Sequence, residues 1–301
     1  MLMESSDYRF GFVAVVGRPN VGKSTLVNAL LGTKVSIVSH RAQTTRHRIL
    51  GVHTNDHCQI VFVDTPGLHG ERKKYLNRVI NRTAMSSLEG VDLVLFVVVA
   101  GRWTAADAAA LQVVQAQAAK VFLVINKIDR ITDRKRLLPI IQDLGSKSVF
   151  AEIIPLSALR HTNLGELLDT ITAYMPQGSQ GFPADQITDK GPRFMAAELI
   201  REQLFSGLGD ELPYATAVEI ESLETTPELV RIHAVIWVER SGQRPIVIGQ
   251  QGRQIKRLGQ RARRALESYF QCQVFVKLWV KVRSGWADDI NSLRVLGYTE
   301  E

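Results

Sequence analysis

Three short stretches carry residues whose types and order define a chemistry. GRPNVGKS, from Gly17 to Ser24, follows an apolar run and opens an amphipathic one. Glycines at that spacing let the backbone curl so that several N–H groups face one phosphate chain, and the helix that follows adds its positive dipole end. The expected phosphate-holding set is Gly17, Arg18, Pro19, Asn20, Val21, Gly22, Lys23, Ser24 and Thr25. Lys23 reaches the β and γ phosphates, and the Ser24 hydroxyl offers an oxygen to Mg²⁺. DTPG ends the next apolar run: the Asp64 carboxylate is placed to hold Mg²⁺ through water, and the Gly67 N–H to approach a γ-phosphate. With Thr65, Pro66 and Leu68 these residues form a second phosphate-sensing segment.

NKID, Asn126 to Asp129, ends a later apolar run. A carboxylate accepts both the N1–H and the 2-amino hydrogens of guanine, whereas adenine lacks the amino group and turns an acceptor toward that carboxylate. Each charge-assisted bond is worth about 1.5–3 kcal/mol, so Asp129 sets the base. Asn126 ties this loop to the phosphate loop and the Lys127 stem covers the base. Ser157 and Ala158 close the set, with the Ala158 N–H aimed at guanine O6. The ligand expected is GTP or GDP.

A second glycine loop lies in VIGQQGRQIKRLG, residues 247–259. It lacks the lysine and hydroxyl that a nucleoside triphosphate and Mg²⁺ require. Two glycines separated by two residues and followed by a basic helix suit another polyanion: small residues let the backbone press against a nucleic-acid strand, as in the GXXG clamp of KH domains, which grips about four nucleotides of RNA. The expected RNA-binding residues are Ile248, Gly249, Gln250, Gln251, Gly252, Arg253, Lys256 and Arg257, with Ile246, Val247 and Ile248 as an apolar floor. Charge distribution agrees. Residues 182–301 carry as many acidic as basic side chains, yet Arg240 to Arg264 holds eight basic residues and no acidic one. A one-sign cluster on a neutral background points to a polyanion. RNA, not DNA, is the expected partner.

The elements that position these residues are legible from periodicity. Continuous apolar runs at 12–17, 60–65, 93–100, 121–127 and 152–158 read as buried strands. Amphipathic stretches at 22–31, 72–88, 104–119, 133–145 and 163–174 alternate with them. That alternation predicts an α/β unit with a mostly parallel sheet covered on both faces, with ligands at the carboxyl ends of its strands. PQGSQGFPADQITDKGP, 176–192, breaks the pattern with three prolines and three glycines. The expected division is 1–178 for the first domain, 179–192 for a linker and 193–301 for an α+β second domain. In the second domain a helix is expected at 193–208, strands at 214–223 and 229–239, a helix at 252–270 and a strand at 274–282. By itself the apolar run before Gly249 reads as a short strand; the KH element order instead places a helix there. Cys58 and Cys272 give no disulfide framework or zinc spacing, and no run is long enough to span a bilayer, so a cytoplasmic location is expected.

GRPNVGKS, DTPG, NKID and the LSA that holds Ser157 and Ala158 resemble the TRAFAC-class GTPases. QTTRHR, Gln43 to Arg48, is similar to the first switch of the Era/TrmE branch. The resemblance implies a switch threonine that senses Mg²⁺ and γ-phosphate: Thr45 first, Thr44 second. It implies a K⁺ ion held by Asn20 beside the phosphates, with stabilisation of the loop backbone as the other role open to that residue. Leu68 stands where Ras-like enzymes orient the attacking water with glutamine, and an alkyl chain cannot, so slow intrinsic hydrolysis is expected. A GTPase domain followed by a type II KH domain, with SGWADD (284–289) near the end, resembles the bacterial ribosome-assembly members of this branch. That implies contact with 16S ribosomal RNA near its 3′ end, a role in 30S subunit assembly, and peripheral association with the inner membrane.

Overall fold

The computed structural model describes residues 7–41, 43–67, 75–209 and 211–298. They fall into two compact units. The first runs to Asp189 without residues 75–79, and the second comprises those residues and the chain from Lys190.

The first unit is a six-stranded sheet in the order β2-β3-β1-β4-β5-β6. Its strands are β1 (Arg9–Val16), β2 (Ile49–Thr54), β3 (Cys58–Asp64), β4 (Leu93–Val99), β5 (Lys120–Asn126) and β6 (Glu152–Pro155). All pair in parallel except β2, which runs antiparallel to β3. The helices are α1 (Lys23–Leu31), α2 (Tyr75–Ser86, of which the part from Ile80 belongs to this unit), α3 (Ala105–Gln115), α4 (Leu137–Gly145) and α5 (Leu164–Tyr174). The central strands are apolar on both faces because both are covered. Val94, Phe96 and Val98 of β4 pack with Leu123 and Ile125 of β5 and Ala110, Leu111 and Val114 of α3. Burying a side chain of that size contributes about 1.5–3 kcal/mol, so these strands hold the frame on which the loops sit. Since β1 is central, with β3 on one side and β4 on the other, the loops after β1, β3 and β5 open at one end of the sheet.

Two features depart from expectation. Strand β2, directly after the switch stretch, is not among the expected strands. The segment expected to be a linker is bound instead to the first unit through residue 189. Ile187 O accepts from Val52 N at 2.8 Å and Asp189 Oδ1 from Leu50 N at 2.9 Å, which satisfies the outer edge of β2. Gln59, fully buried, donates to Phe182 O at 2.9 Å and accepts from Gly181 N and Phe182 N at 2.9 and 2.8 Å.

In the second unit, α6 (Pro192–Gly207) precedes the strands β7 (Thr216–Thr225) and β8 (Leu229–Val238), then α7 (Gln243–Ile248), α8 (Arg253–Phe270), β9 (Gln273–Val282) and α9 (Ile290–Val295). The sheet order is β7-β8-β9, with β8 and β9 parallel. The run before Gly249 is therefore helical, as the KH element order required and the isolated strand reading did not. SGWADD is structural: Trp286 is fully buried, donates to Ala215 O at 3.4 Å and stacks on Tyr298, while Asp289 caps α9 by accepting from Ser292 N.

Gln59→Leu removes four polar contacts at once and leaves the 181–182 backbone without partners. A loss of about 1–3 kcal/mol is expected in denaturant unfolding, with faster proteolytic cleavage inside 179–189. An unchanged midpoint and cleavage pattern would show that this segment is not held by Gln59.

Candidate functional site

The phosphate loop links β1 to α1. Gly22 is the N-cap of α1 in a left-handed conformation (φ 105°), and a Cβ there would lie 2.4 Å from Asn126 Nδ2. Glycine is needed twice over, for the turn and for the close approach. Asn126, 2% exposed at the end of β5, donates from Nδ2 to Val21 O at 2.9 Å. The expected tie between the base loop and the phosphate loop is thus present as a single buried hydrogen bond. Lys127 reinforces it by donating from Nζ to Asn20 O at 2.6 Å, laying its stem across the space between the loops. Asp129 is exposed and accepts from Ser157 Oγ at 2.5 Å. One expectation changes: the Ala158 N–H donates to Asn126 Oδ1 at 3.1 Å rather than standing open toward the base site.

Lys23 folds back over the loop and donates to Gly17 O at 3.0 Å and Arg18 O at 3.2 Å. Burial lowers its pKa to about 8, against an upward pull from Asp64. Asp64, fully buried at the end of β3, has its carboxyl pushed up by burial, with the Lys23 charge opposing. The Ser24 and Ser36 hydroxyls soften that shift, but neither carboxylate oxygen makes a well-formed hydrogen bond. The Ser24 and Thr45 hydroxyls lie 2.8 Å apart, whereas the Thr44 hydroxyl donates to Arg41 O at 2.8 Å. Of the two candidate switch threonines, Thr45 is the one placed beside Ser24. A Cβ on Gly67 would lie 3.0 Å from Pro19 N, so DTPG passes close to the phosphate loop, and the Thr65 hydroxyl donates to Val15 O at 2.8 Å. Leu68 lies outside the described residues.

Sequence reading missed Asp107. Arg18 Nε donates to Asp107 Oδ2 at 2.9 Å, and its Nη1 donates to Pro19 O at 3.2 Å. Asp107 is fully buried at the start of α3 and forms a capping box with Thr104. The T-x-x-D spacing marks such a box and was the available signal. Between these loops a cleft of about 510 Å³ is lined by Arg18, Asn20, Asn126, Lys127, Asp129 and Ala158.

In the second unit, Gly249 (φ 73°) ends α7, and a Cβ there would meet Gln254 Cβ at 2.5 Å. Gly252 (φ 75°) is the N-cap of α8, and a Cβ there would meet only Ile255 Cγ2, at 4.0 Å. Gln250, Gln251, Arg253, Lys256 and Arg257 are all exposed. Leu258, Ala262 and Leu266 face inward and fix which side of α8 carries the cations. The expected apolar floor divides: Val247 is fully buried in the core, Ile248 is half-buried, and Ile246 is 60% exposed.

An NKID loop hydrogen-bonded to a glycine-rich phosphate loop, in a chain that also carries a GXXG helix pair on a three-stranded sheet, defines a GTP-binding protein joined to a KH module. Two family models match: 50S ribosome-binding GTPase over residues 12–127 and KH domain over residues 211–287. GTPase Era of Xanthomonas oryzae pv. oryzae is 51% identical over 298 residues, covering 99% of this chain and 100% of its own. GTPase Era of Stenotrophomonas maltophilia is 50% identical over 297 residues, with 99% and 100% covered. The crystal structure of Era in complex with MgGDPNP and nucleotides 1506–1542 of 16S ribosomal RNA superposes with a TM-score of 0.93 at 41% identity, covering 97% of this chain and 100% of that one. A single-residue variant of Aquifex aeolicus Era bound to GDP·AlF4⁻ gives 0.91 at 40%, with the same coverage. The chain belongs to the GTPase Era family.

Because Lys23 titrates at about 8, the free site holds a full ammonium charge only below that pH. A triphosphate favours the charged form and raises this pKa on binding. Nucleotide affinity is therefore expected to be highest below about pH 8 and to fall as pH rises through it, by up to about tenfold per unit. Calorimetry in buffers of different ionisation enthalpy should show net proton uptake near that pH. Affinity that stays level across this range would contradict the assignment.

Proposed function

We propose that this chain is a GTP-hydrolysing switch that binds 16S ribosomal RNA near its 3′ end through the KH unit and assists assembly of the 30S subunit. The carrying observation is that one chain holds both glycine-loop sites and matches, end to end, a protein solved with MgGDPNP and nucleotides 1506–1542 of 16S ribosomal RNA. The 50S description belongs to a model matched only to residues 12–127, which excludes the GXXG unit, so it does not bear on which RNA is gripped.

In this reading Asp64, Ser24 and Thr45 hold Mg²⁺. A buried carboxylate without well-formed hydrogen bonds beside two hydroxyls is a donor set of hard oxygens, which suits that ion. When bound, Mg²⁺ neutralises charge on the β and γ phosphates. Lys23 adds its ammonium to the same oxygens, and the phosphate-loop N–H groups orient them. Asp129 and Ser157 read the base, and Asn126 and Lys127 keep the base site at a fixed distance from the phosphates. Asn20, whose carbonyl is held by Lys127 and whose side chain is exposed, offers its amide oxygen to K⁺; comparison of turnover in K⁺ and Na⁺ tests that role. Hydrolysis without a partner is slow, because the residue after Gly67 is leucine. GTP favours RNA binding only to the extent that RNA favours GTP, so the two affinities rise together.

The RNA partner puts the site of action in the cytoplasm. No helix among the described residues is long and apolar enough to cross a membrane. The peripheral membrane contact implied by the resemblance gains no support from the fold and is not part of this reading.

Asp129→Asn exchanges two accepted hydrogen bonds for an amide that suits the 2-carbonyl of xanthine. GTP affinity is expected to fall by tenfold or more and xanthosine triphosphate affinity to rise. Unaltered GTP binding would refute the base assignment. Gly252→Asp is the cleaner probe of the RNA loop, because a Cβ there meets only Ile255 Cγ2, at 4.0 Å, and aspartate is among the residues enriched in the left-handed conformation. It should weaken RNA binding at least about tenfold through charge repulsion while GTP affinity holds. Undiminished RNA capture would remove the KH groove from the mechanism.

A further inference from the structure

The KH unit has a second surface that the GXXG groove does not use. Along β9, Val274 and Val280 are buried and Leu278 packs toward Gly259 of α8, so the even-numbered positions face the helices. The odd-numbered ones, Phe275, Lys277, Trp279 and Lys281, point to the opposite face. Phe275 is 49% exposed and Trp279 is 47% exposed, although both are large aromatic side chains on a regular strand. The neighbouring strand continues the theme: Trp237 lies beside Lys281 in register, with the ammonium of Lys281 and the guanidinium of Arg283 each 5.8 Å from its ring. Lys277 Nζ stands 4.8 Å over the Trp279 ring.

We propose that this outer sheet face is a second RNA-binding surface, a stacking platform on which single-stranded RNA bases lie on Trp279 and Phe275 while Lys277 and Arg283 meet the phosphates. The inference rests on the KH reading and extends it. Rings alternating with cations give each base a stacking surface and each phosphate a counter-charge, the arrangement by which sequence-tolerant single-strand binding works. The two rings, four residues apart on one strand, stand roughly 13 Å from each other, room for an extended strand with unstacked bases between them. Glu221 engages Lys281 and leaves Lys277 and Arg283 as the cations for phosphate. The acidic side chains lie on β7, at the far edge: Glu219 accepts from Trp237 Nε1 at 2.7 Å, and Glu221 pairs with Lys281 at 2.8 Å. Phe275, Lys277 and Trp279 on β9 lie away from that edge. The cation–π contacts are solvent-exposed and weak, so Lys277 can leave the ring for a phosphate when a base takes its place. A KH groove grips about four nucleotides, and a longer strand needs somewhere to continue.

The test uses the full chain and two unstructured RNA oligonucleotides, one just long enough for the GXXG groove and one several times longer. Wild-type protein should bind the longer one more tightly than the shorter. Trp279→Ala combined with Phe275→Ala should weaken the longer RNA by about tenfold or more and leave the shorter unchanged. Trp279→Phe should restore most of the loss, and Lys277→Gln should lower the slope of log affinity against log salt by about one. Circular dichroism and the denaturant unfolding midpoint report that the KH unit of each variant is folded. Equal binding of long RNA by wild type and the double alanine variant would overturn the proposal. Equal losses on both oligonucleotides would also overturn it, because the effect would then lie in the groove. If the wild type bound neither RNA, the KH reading itself would fall along with this extension; tight binding of the short RNA with no gain from length sinks the extension alone.

Discussion

The hydrogen bond from Asn126 Nδ2 to Val21 O is the contact on which the first unit's site depends. It joins the loop that reads a base to the loop that wraps phosphates, and it does so where neither partner meets water. Leaving a buried amide unpaired costs about 1–3 kcal/mol, so the two loops move as one body or not at all. The tie also explains why position 22 is glycine: any side chain would occupy the place of the Asn126 amide. From this single junction follows a fixed distance between base and phosphate subsites. A site of fixed span selects a nucleotide rather than a phosphate or a base alone.

The second unit uses the same device with a different balance of forces. Both loops expose backbone through glycine beside a helix N-terminus. In the first, the cation is buried: Lys23 is held below its ordinary pKa by desolvation and is directed at two carbonyls. In the second, Arg253, Lys256 and Arg257 stand in solvent. Buried charge gives a strong interaction with one well-placed ligand group and punishes a wrong one. Exposed charge gives attraction that salt screens and that many strand conformations satisfy. A small, rigid, doubly specified ligand therefore suits the first unit and a long flexible polyanion the second.

The parts of this fold that were legible in the sequence are those where burial and periodicity agree. Strands β1, β3, β4 and β5 are covered on both faces, so they appear as unbroken apolar runs, and the loops at their ends carried their motifs with them. The edge strand β2 was not legible, because ILGVHT contains a glycine and is buried over only part of its length. The 179–189 stretch has the composition of a linker, and only Gln59, a polar residue inside a buried strand, hinted that something packs there. The helix α7 was obscured because its sequence, QRPIVI, fits a strand as well as a helix turn, and only the KH order separated the two. Asp107 was missed for a different reason: the T-x-x-D spacing marks it only as a helix cap, and its ion-pair partner Arg18 lies far away in sequence. The Ala158 amide was assigned to the base from motif order alone, without regard to the competing acceptor on Asn126.

Lys23 and Asp64 also make the first site an energetic reservoir. Each is driven toward its neutral form by burial, and each is drawn back toward its charged form by the other. Two such groups, close but not hydrogen-bonded to each other, recover less by mutual attraction than they lose by leaving water. The unliganded site is thus costly to fold. A ligand that brings its own opposite charges to both groups relieves that cost on binding, so part of its apparent affinity is stability returned to the protein. The same linkage makes the unit more stable in proportion to the logarithm of ligand concentration above its Kd. A nucleotide switch needs this property. Its loops must be ordered by the ligand and lose order without it, and a site built from fully satisfied groups would have no reason to respond.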